Sequence, residues 1–406
     1  MLLALSFLLL SRPTTLDVGD NKPFSRIEEA ALAAHAGDEI RVFPRADGYL
    51  GTAVYITTPK LKIVAESRII LDGSSFSYSG VGKVPRAIFQ VNPGADGVTI
   101  ENFELKGAHN ASYNGAGLRI YGAKSCTIRD CSIHDNDMGI MSAGVVGDSH
   151  SASKQLIDHC EIYRNGNIAD PGYNHNLYLG GTSATVQFCS IHDSLTGHNL
   201  KSRAHFTIVQ YCAIYNSCNR EMDFVESWDT ERPHSNVLLL GNVIHKNPDC
   251  KGNRTVILFG EEKGHRDGTI FLINNNISTD FMSPVVELTA LTPSARFFNN
   301  VIENSDQAHP ELVGFPNGAD LSDVKGRWNV LSPNYDVAGT SIDKETVYTD
   351  RRARQKIAGH PRPPLTFHPG QASYVDGEGN RHDVAPIYRA KSFTWSPTTE
   401  TFIGAG

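Results

Sequence analysis

One short pattern recurs along this chain, and it constrains the fold more than any other feature. The segments Thr99-Ile-Glu-Asn102, Thr127-Ile-Arg-Asp-Cys131, Leu156-Ile-Asp-His-Cys160 and Val186-Gln-Phe-Cys189 align, as do Ile208-Val-Gln-Tyr-Cys212 and Leu239-Leu-Gly-Asn242. Ile273-Asn-Asn-Asn276, Phe298-Asn-Asn300 and Arg327-Trp-Asn329 continue the series, with steps of 29, 29, 29, 23, 30, 34, 24 and 29 residues. Short alternating apolar strands at such a period, with no helical phase, predict a solenoid in which like residues stack from coil to coil. The shared slot holds Asn or Cys. An Asn amide at a tight bend satisfies backbone groups, and Cys fills the same small inward space. Cys131, Cys160, Cys189 and Cys212 are therefore expected as a buried thiol ladder and not as a metal or redox cluster. Seven cysteines, an odd number, also argue against a disulfide framework.

Composition fits this reading. The 36 Gly and 20 Pro make the chain turn-rich, and 40% hydrophobic with 20% charged residues describes a foldable protein. A net charge of −7 argues against general nucleic-acid binding but leaves room for a local basic site. The run Met1–Leu10 has the length of a signal-peptide apolar core and is too short to span a bilayer. Residues 1–18 are thus expected as a leader, which implies a secreted or periplasmic protein. The stretch from Phe24 to Pro44 reads as a short amphipathic helix, a Gly37 stop and a strand, suited to plugging the open end of the solenoid. From about residue 350 the repeat is lost and His360-Pro-Arg-Pro-Pro begins an irregular segment expected along or across the far end. The expected organisation is a leader (1–18), a solenoid (19–349) and a Pro-rich C-terminal segment (350–406).

The helix, Gly-Asp and strand opening, followed by Asn-ladder coils, resembles the right-handed parallel β-helix (pectate-lyase-like) superfamily over about residues 20 to 345. The resemblance implies an all-β, right-handed parallel β-helix. It leaves the reaction open, because this fold carries lyases, hydrolases, epimerases and non-catalytic adhesins.

Each coil has a further strand, and here the monotony breaks. His175-Asn-Leu-Tyr-Leu and His198-Asn-Leu-Lys-Ser-Arg lie one 23-residue coil apart, and Glu221-Met-Asp-Phe follows. With Leu177, Leu179, Leu200, Met222 and Phe224 inward, alternation places Asn176, Tyr178, Asn199, Lys201, Arg203, Glu221 and Asp223 outward. His175 and His198 take inward parity, unless a bulge at the strand start swings them out as alternative bases.

Cleaving a uronic-acid polymer by β-elimination needs a neutralised sugar carboxylate, a base for the C5 proton and an acid for the departing O4. Lys201 is the expected base, its pKa lowered by Arg203 beside it, and Arg203 can hold the carboxylate in a fork. Tyr178 could protonate the leaving oxygen. Asn176, Asn199, Arg220 and Asp223 are expected substrate contacts. Asn199, Glu221 and Asp223 offer hard oxygen ligands for Ca²⁺. The expected partner is an anionic polysaccharide.

In part, this agrees with what the resemblance implies. β-Helix lyases of the alginate lyase and chondroitinase B type use a Lys base, an Arg, and Ca²⁺ held by Asn and Glu. Lys201, Arg203, Asn199 and Glu221 match in type and region, but here Lys and Arg share one strand. A plain surface salt-bridge ladder of Lys201 and Asp223 is the alternative for the patch. Other functional readings are a non-catalytic glycan binder, a C5-epimerase and a polygalacturonase-type hydrolase. The last would need Gly-His-Gly and Arg-x-Lys where this chain has Gly197-His-Asn and Lys201-Ser-Arg. His134, Tyr163, His192, Tyr215 and His245 form another row, three residues beyond each slot, expected as a decorated face that could flank a sugar.

Overall fold

The structure is a computed structural model. It describes residues 12–144, 151–247, 249–262, 265–279, 284–290, 292, 294–304, 311–315, 320–332, 335–342, 347–348, 371–384, 393–396 and 401–404. The chain winds as a parallel β-helix, as the repeat predicts. Each regular coil has three strands where the sequence pattern showed two. A front sheet of ten parallel strands runs from Val54–Ile56 through Leu177–Leu179, Leu200–Ser202 and Met222–Phe224 to Val313–Gly314. A second sheet contains Gln155–Asp158, Ser183–Gln187 and Phe206–Gln210, and a third contains Glu161–Tyr163, Ser190–His192 and Ala213–Tyr215. Lys62–Asp72 and Thr99–Lys106 run through both of these sheets and join them.

The extra strand arises from one residue per coil with positive φ. Asp130, His159, Phe188, Tyr211, Gly241, Asn274, Asn299 and Trp328 all sit between φ 51° and 66°. Left-handed backbone costs about 1–2 kcal/mol at a non-glycine residue. Here it bends the chain between the second and third sheets. It also turns each N–H onto the next coil's carbonyl: His159 to Gln187 at 3.1 Å, Tyr211 to Leu240 at 2.9 Å, Asn274 to Phe298 at 3.0 Å.

The ladder slot is the residue just after each bend. It reads Cys131, Cys160, Cys189, Cys212, Asn242, Asn275, Asn300, Asn329, all buried. Two sequence-based placements shift by one. Asn102 is itself a bend residue, with φ 69°, and Phe103 takes the slot. Asn276 begins a strand opposite Val243 and Val301, and Asn275 takes the slot. In the Asn part each amide nitrogen donates to the next Asn oxygen at 2.9–3.0 Å and to a backbone carbonyl of the preceding coil. In the Cys part each thiol meets the carbonyl two residues back, at 3.1–3.4 Å, and all four are free. The Cys160 thiol and burial hold Cys131 well above the ordinary thiol range, and burial with the Cys212 thiol does the same for Cys189.

The ends differ from expectation in detail. Helix Ile27–Ala33 buries Ile27 and Ala30 in the core of the first coils, and the Glu29 carboxylate accepts from the N–H groups of Ser25 and Arg26. Strand Thr15–Val18, inside the stretch expected as leader, already pairs with Glu39–Val42, and Met1–Ser11 lie outside the described residues. The C-terminal hairpin Ala372–Val375/Arg381–Val384 packs on the flank of the second sheet, against Leu238, Leu240, Phe271 and Ile273. There Asn236 donates to Val375 O at 2.8 Å. The Pro-rich run from His360 lies outside the described residues. Among the described residues, no helix is long and apolar enough to cross a membrane.

The mixed ladder makes a prediction. Asn242 Oδ1 already accepts the backbone N–H of Cys212 at 3.0 Å, so Cys212→Asn extends the amide ladder by one coil. It should cost less than about 1 kcal/mol in denaturant unfolding, while Cys212→Leu, which overfills the slot, should cost about 1–3 kcal/mol. Equal losses would mean that the slot is not interchangeable.

Candidate active site

Register on the front sheet decides which side chains meet. Leu200 pairs with Leu177 and Met222, so Tyr178, Lys201 and Asp223 form one outward column on successive coils, about 4.8 Å apart. This part of the expected patch is assembled.

Lys201 Nζ lies 2.9 Å from Asp223 Oδ2 and 2.8 Å from Glu262 Oε1. The other Glu262 oxygen is 2.8 Å from Arg203 Nη2, and Arg203 Nη1 also donates to the Glu226 carbonyl. Glu262 thus grips both cations with one carboxylate. On the far side of Asp223, Arg220 reaches its Oδ1 at 3.2 Å and Glu287 at 3.0 Å. The Thr255 hydroxyl donates to Glu287.

The electrostatics correct one expectation. Arg203 was to lower the Lys201 pKa by like-charge repulsion. Burial does pull Lys201 down, but Asp223 and Glu262 outweigh it and hold the ammonium above its ordinary value. Glu262 is held below its ordinary value: burial raises it, and the bond and charge of Lys201 prevail. Burial works against the Arg203 charge too, but Tyr178, Glu262 and Glu226 keep it raised.

A second correction concerns facing. Asn176, Asn199 and Glu221 do not point outward; each is fully buried. Strict alternation fails because they occupy the bend before three-residue strands, where two successive side chains turn inward. A one-residue slip exchanges faces. They continue an internal ladder: Asn136 Nδ2 to Asn165 Oδ1 at 3.0 Å, Asn165 to Asn176 at 2.9 Å, Asn176 to Asn199 at 2.8 Å, and Asn199 to Glu221 Oε2 at 2.6 Å. Lys246 Nζ closes it, 3.5 Å from Glu221 Oε1, and also donates to the Ser217 and Asn219 carbonyls. Asn176 and Asn199 therefore cannot contact substrate.

The same slip brings His175 and His198 to the site. His175 stacks on Tyr178 at 5.6 Å and on His198 at 5.0 Å, and His198 Nε2 is 3.5 Å from Asp223 Oδ2. The His198 backbone N–H donates to His175 Nδ1 at 3.0 Å, which leaves the His175 proton on Nε2. Burial, with added charge repulsion from His198 and Lys201 at His175 and from Lys201 and Arg220 at His198, drives both rings well below the ordinary histidine range.

The Ca²⁺ set does not fit. Asn199 and Glu221 are spent inside the solenoid against Lys246, while the Asp223 carboxylate is met by Lys201 and Arg220. Among the described residues no group of three His, Cys, Asp or Glu side chains is disposed to hold a metal. The aromatic row is present as a stack: His134–Tyr163, Tyr163–His192 and His192–Tyr215 have centroids 4.7–5.1 Å apart.

Sequence reading missed Glu262, Glu226, Glu287 and Lys246. The available signal was register: Phe259 lies two coils along from Ser202, so acids just past Phe259 arrive beside Lys201 and Arg203.

No protein-family model and no curated protein matches the sequence. Similar solved structures include pectate lyase Pel9A, at 12% identity and TM-score 0.48, covering 95% of this chain and 91% of that one. An alginate lyase from Paenibacillus sp. str. FPU-7 gives 14% identity and TM-score 0.46, covering 82% and 97%. The tailspike protein gp49 of Acinetobacter baumannii bacteriophage Fri1, a capsular polysaccharide depolymerase, gives 11% and 0.43, covering 90% and 66%. At such identities the likeness concerns fold alone.

The neutral histidine pair makes a prediction about pH. As pH falls below about 6.5, the unfolded chain binds protons that the folded one refuses. Stability present above that pH should then decline on acidification until the depressed folded values are reached. His175→Gln should flatten the fall in denaturant midpoint between pH 7.5 and 5. An unchanged slope in both His175→Gln and His198→Gln would contradict the neutral stack.

Proposed function

We propose that the front sheet is the floor of a polysaccharide site and that the reaction is β-elimination on a uronic-acid-containing chain. One observation carries the reading. Glu262 binds Lys201 Nζ and Arg203 Nη2 through its two oxygens, each at 2.8 Å, so a carboxylate already sits on Arg203 with the Lys201 amine beside it. Glu262 is more than a third exposed, so it can be exchanged for substrate.

In this proposal the uronate carboxylate replaces Glu262 on Arg203, which offsets the charge that builds up as C5 loses its proton. Departure of Glu262 removes one of the two anions that keep Lys201 protonated, so the amine can reach the neutral form while Asp223 holds it in place. Lys201 then takes the C5 proton. The C5–H electrons become the C4–C5 double bond, the C4–O4 bond breaks, and the Tyr178 hydroxyl protonates O4. His175, stacked on Tyr178, fixes that ring. Arg220 is too engaged with Asp223 and Glu287 to bind substrate freely and serves to hold Asp223. No step uses a metal. A glycan substrate of this kind accords with a secreted or periplasmic protein.

Hydrolysis is less well supported. Its general acid needs a raised pKa, whereas Lys201 lowers that of Glu262, the accessible carboxylate of the cluster. Epimerisation shares the proton abstraction, and a glycan binder shares the groove; neither makes a double bond.

The test is an absorbance screen for unsaturated product on alginate, pectate, glucuronan and glycosaminoglycans. Lys201→Ala should lose about 10²–10⁴-fold in turnover, and Lys201→Arg should not rescue it, because guanidinium stays protonated. In Glu262→Gln the rise of kcat/KM with pH should move to lower pH, since Lys201 of the free enzyme loses an anionic neighbour, while the kcat profile, set after Glu262 has left, should stay in place. Near-normal turnover of Lys201→Ala would end this assignment.

A further inference from the structure

The outward column that holds Tyr178 and Lys201 continues towards the N-terminal coils. Register gives Gln90, Arg119, Met141, Tyr178 and Lys201 in succession. Arg119 is therefore three strands from Lys201, about 14 Å along the solenoid axis. Arg86, at the edge of the coil before, is its charged neighbour.

These two arginines are unlike the others near the site. Arg203 and Arg220 are each clasped by carboxylates, but among the described residues neither Arg86 nor Arg119 has an acidic partner. Arg119 Nη1 touches Met141 Sδ at 3.6 Å, and its guanidinium lies 5.9 Å from the Tyr121 ring centroid. Burial, and then repulsion from Arg86, lower the Arg119 pKa, with no carboxylate to offset them. Half-buried like charges left together are costly unless an anion joins them.

We infer that Arg86 and Arg119 form a distal subsite for a second carboxylate of a polyanionic glycan lying along the front sheet. The inference rests on the polyuronate reading of Lys201. One coil advances about 4.8 Å, close to the length of one pyranose in an extended chain, so the subsite lies about three sugars from the Lys201 centre. Met141 and Tyr178 between them carry no charge, and give the intervening rings an apolar and aromatic floor. The device selects chain length and acidity: a short oligomer cannot reach both centres, and a neutral polymer gains nothing from the second.

Binding measured by calorimetry in the Lys201→Ala background, where turnover does not interfere, tests this. The probes are hexamers and dimers of galacturonate and of mannuronate, and a carboxyl-reduced hexamer. One acidic hexamer should bind better than its dimer by on the order of tenfold or more, and lose that margin as salt rises. Arg86→Gln with Arg119→Gln should remove the margin and leave dimer binding unchanged, while Arg119→Lys should keep most of it. If the double variant does not fold, the carboxyl-reduced hexamer decides in its place, and should bind no better than the dimer. A hexamer margin that survives in the folded double variant, or with the reduced hexamer, overturns the arginine subsite and leaves the Lys201 reading intact. Failure of every acidic oligomer to bind overturns both.

Discussion

Everything in this molecule hangs on backbone and amide groups that are satisfied one coil further on. A coil of three short strands cannot bury its polar bends alone. The left-handed bend residue passes its N–H to the next coil, and in the Asn part the slot residue after it passes a side-chain amide, while each Cys thiol stays on the carbonyl two residues back. Unsatisfied buried polar groups cost about 1–3 kcal/mol each, so a coil is stable only in a stack. The site inherits this. Asn176, Asn199 and Glu221 of the second ladder lie two residues before Tyr178, Lys201 and Asp223 on their own coils, and so fix the alignment of those three side chains.

That ladder also explains a buried charge. Each amide donates in the same direction, so the last member must accept without donating. In the next coils the equivalent positions are Val256 and Val285, which offer no acceptor. A carboxylate at Glu221 ends the series with no orphaned donor. Burial raises its pKa, and Lys246, Ser217 and Asn199 counter that. The pair is a terminus of the internal ladder, and this is why residues that look like calcium ligands in sequence are not available to the groove.

The repeat made the solenoid, the cysteine slot and the Tyr178–Lys201–Asp223 column legible, because stacking turns sequence period into spatial register. What was hidden lay at the bends. Parity counting assumes an unbroken strand, and Asn176, Asn199 and Glu221 stand where the strand has just turned. The same counting gave His175 and His198 inward parity, and it is the alternative of an irregular strand start that holds, with both rings beside the Tyr178–Asp223 column. Asn102 and Asn276 show the milder form: in runs such as Asn274-Asn275-Asn276, the residue type alone does not say which Asn bends, which stacks and which starts the strand. Glu262 was invisible for another reason. It belongs to a connection, and only register across two coils carries it to Lys201.

Coil length explains why interacting charges concentrate on these rungs. From Tyr178 to Lys201 and from Lys201 to Asp223 the chain makes two short circuits in succession, whereas the next strand residue in the column, Leu258, comes after a far longer excursion. Short circuits leave no loop between neighbouring coils, so their side chains stand side by side on an open floor. The long excursion supplies walls: it contributes Glu226 and, just past the strand, Glu262 and Arg266. Arg266 is fully buried, donates to the Val225 and Ala204 carbonyls, and is lowered to about 9 by burial. By tying two successive coils together directly beyond Lys201 and Arg203, it holds the wall against the floor. A charged site on a flat sheet would be diluted by water. Here one long connection beside two short coils brings Lys201 to a tenth of its side-chain exposure, and makes each ion pair stronger than its surface equivalent.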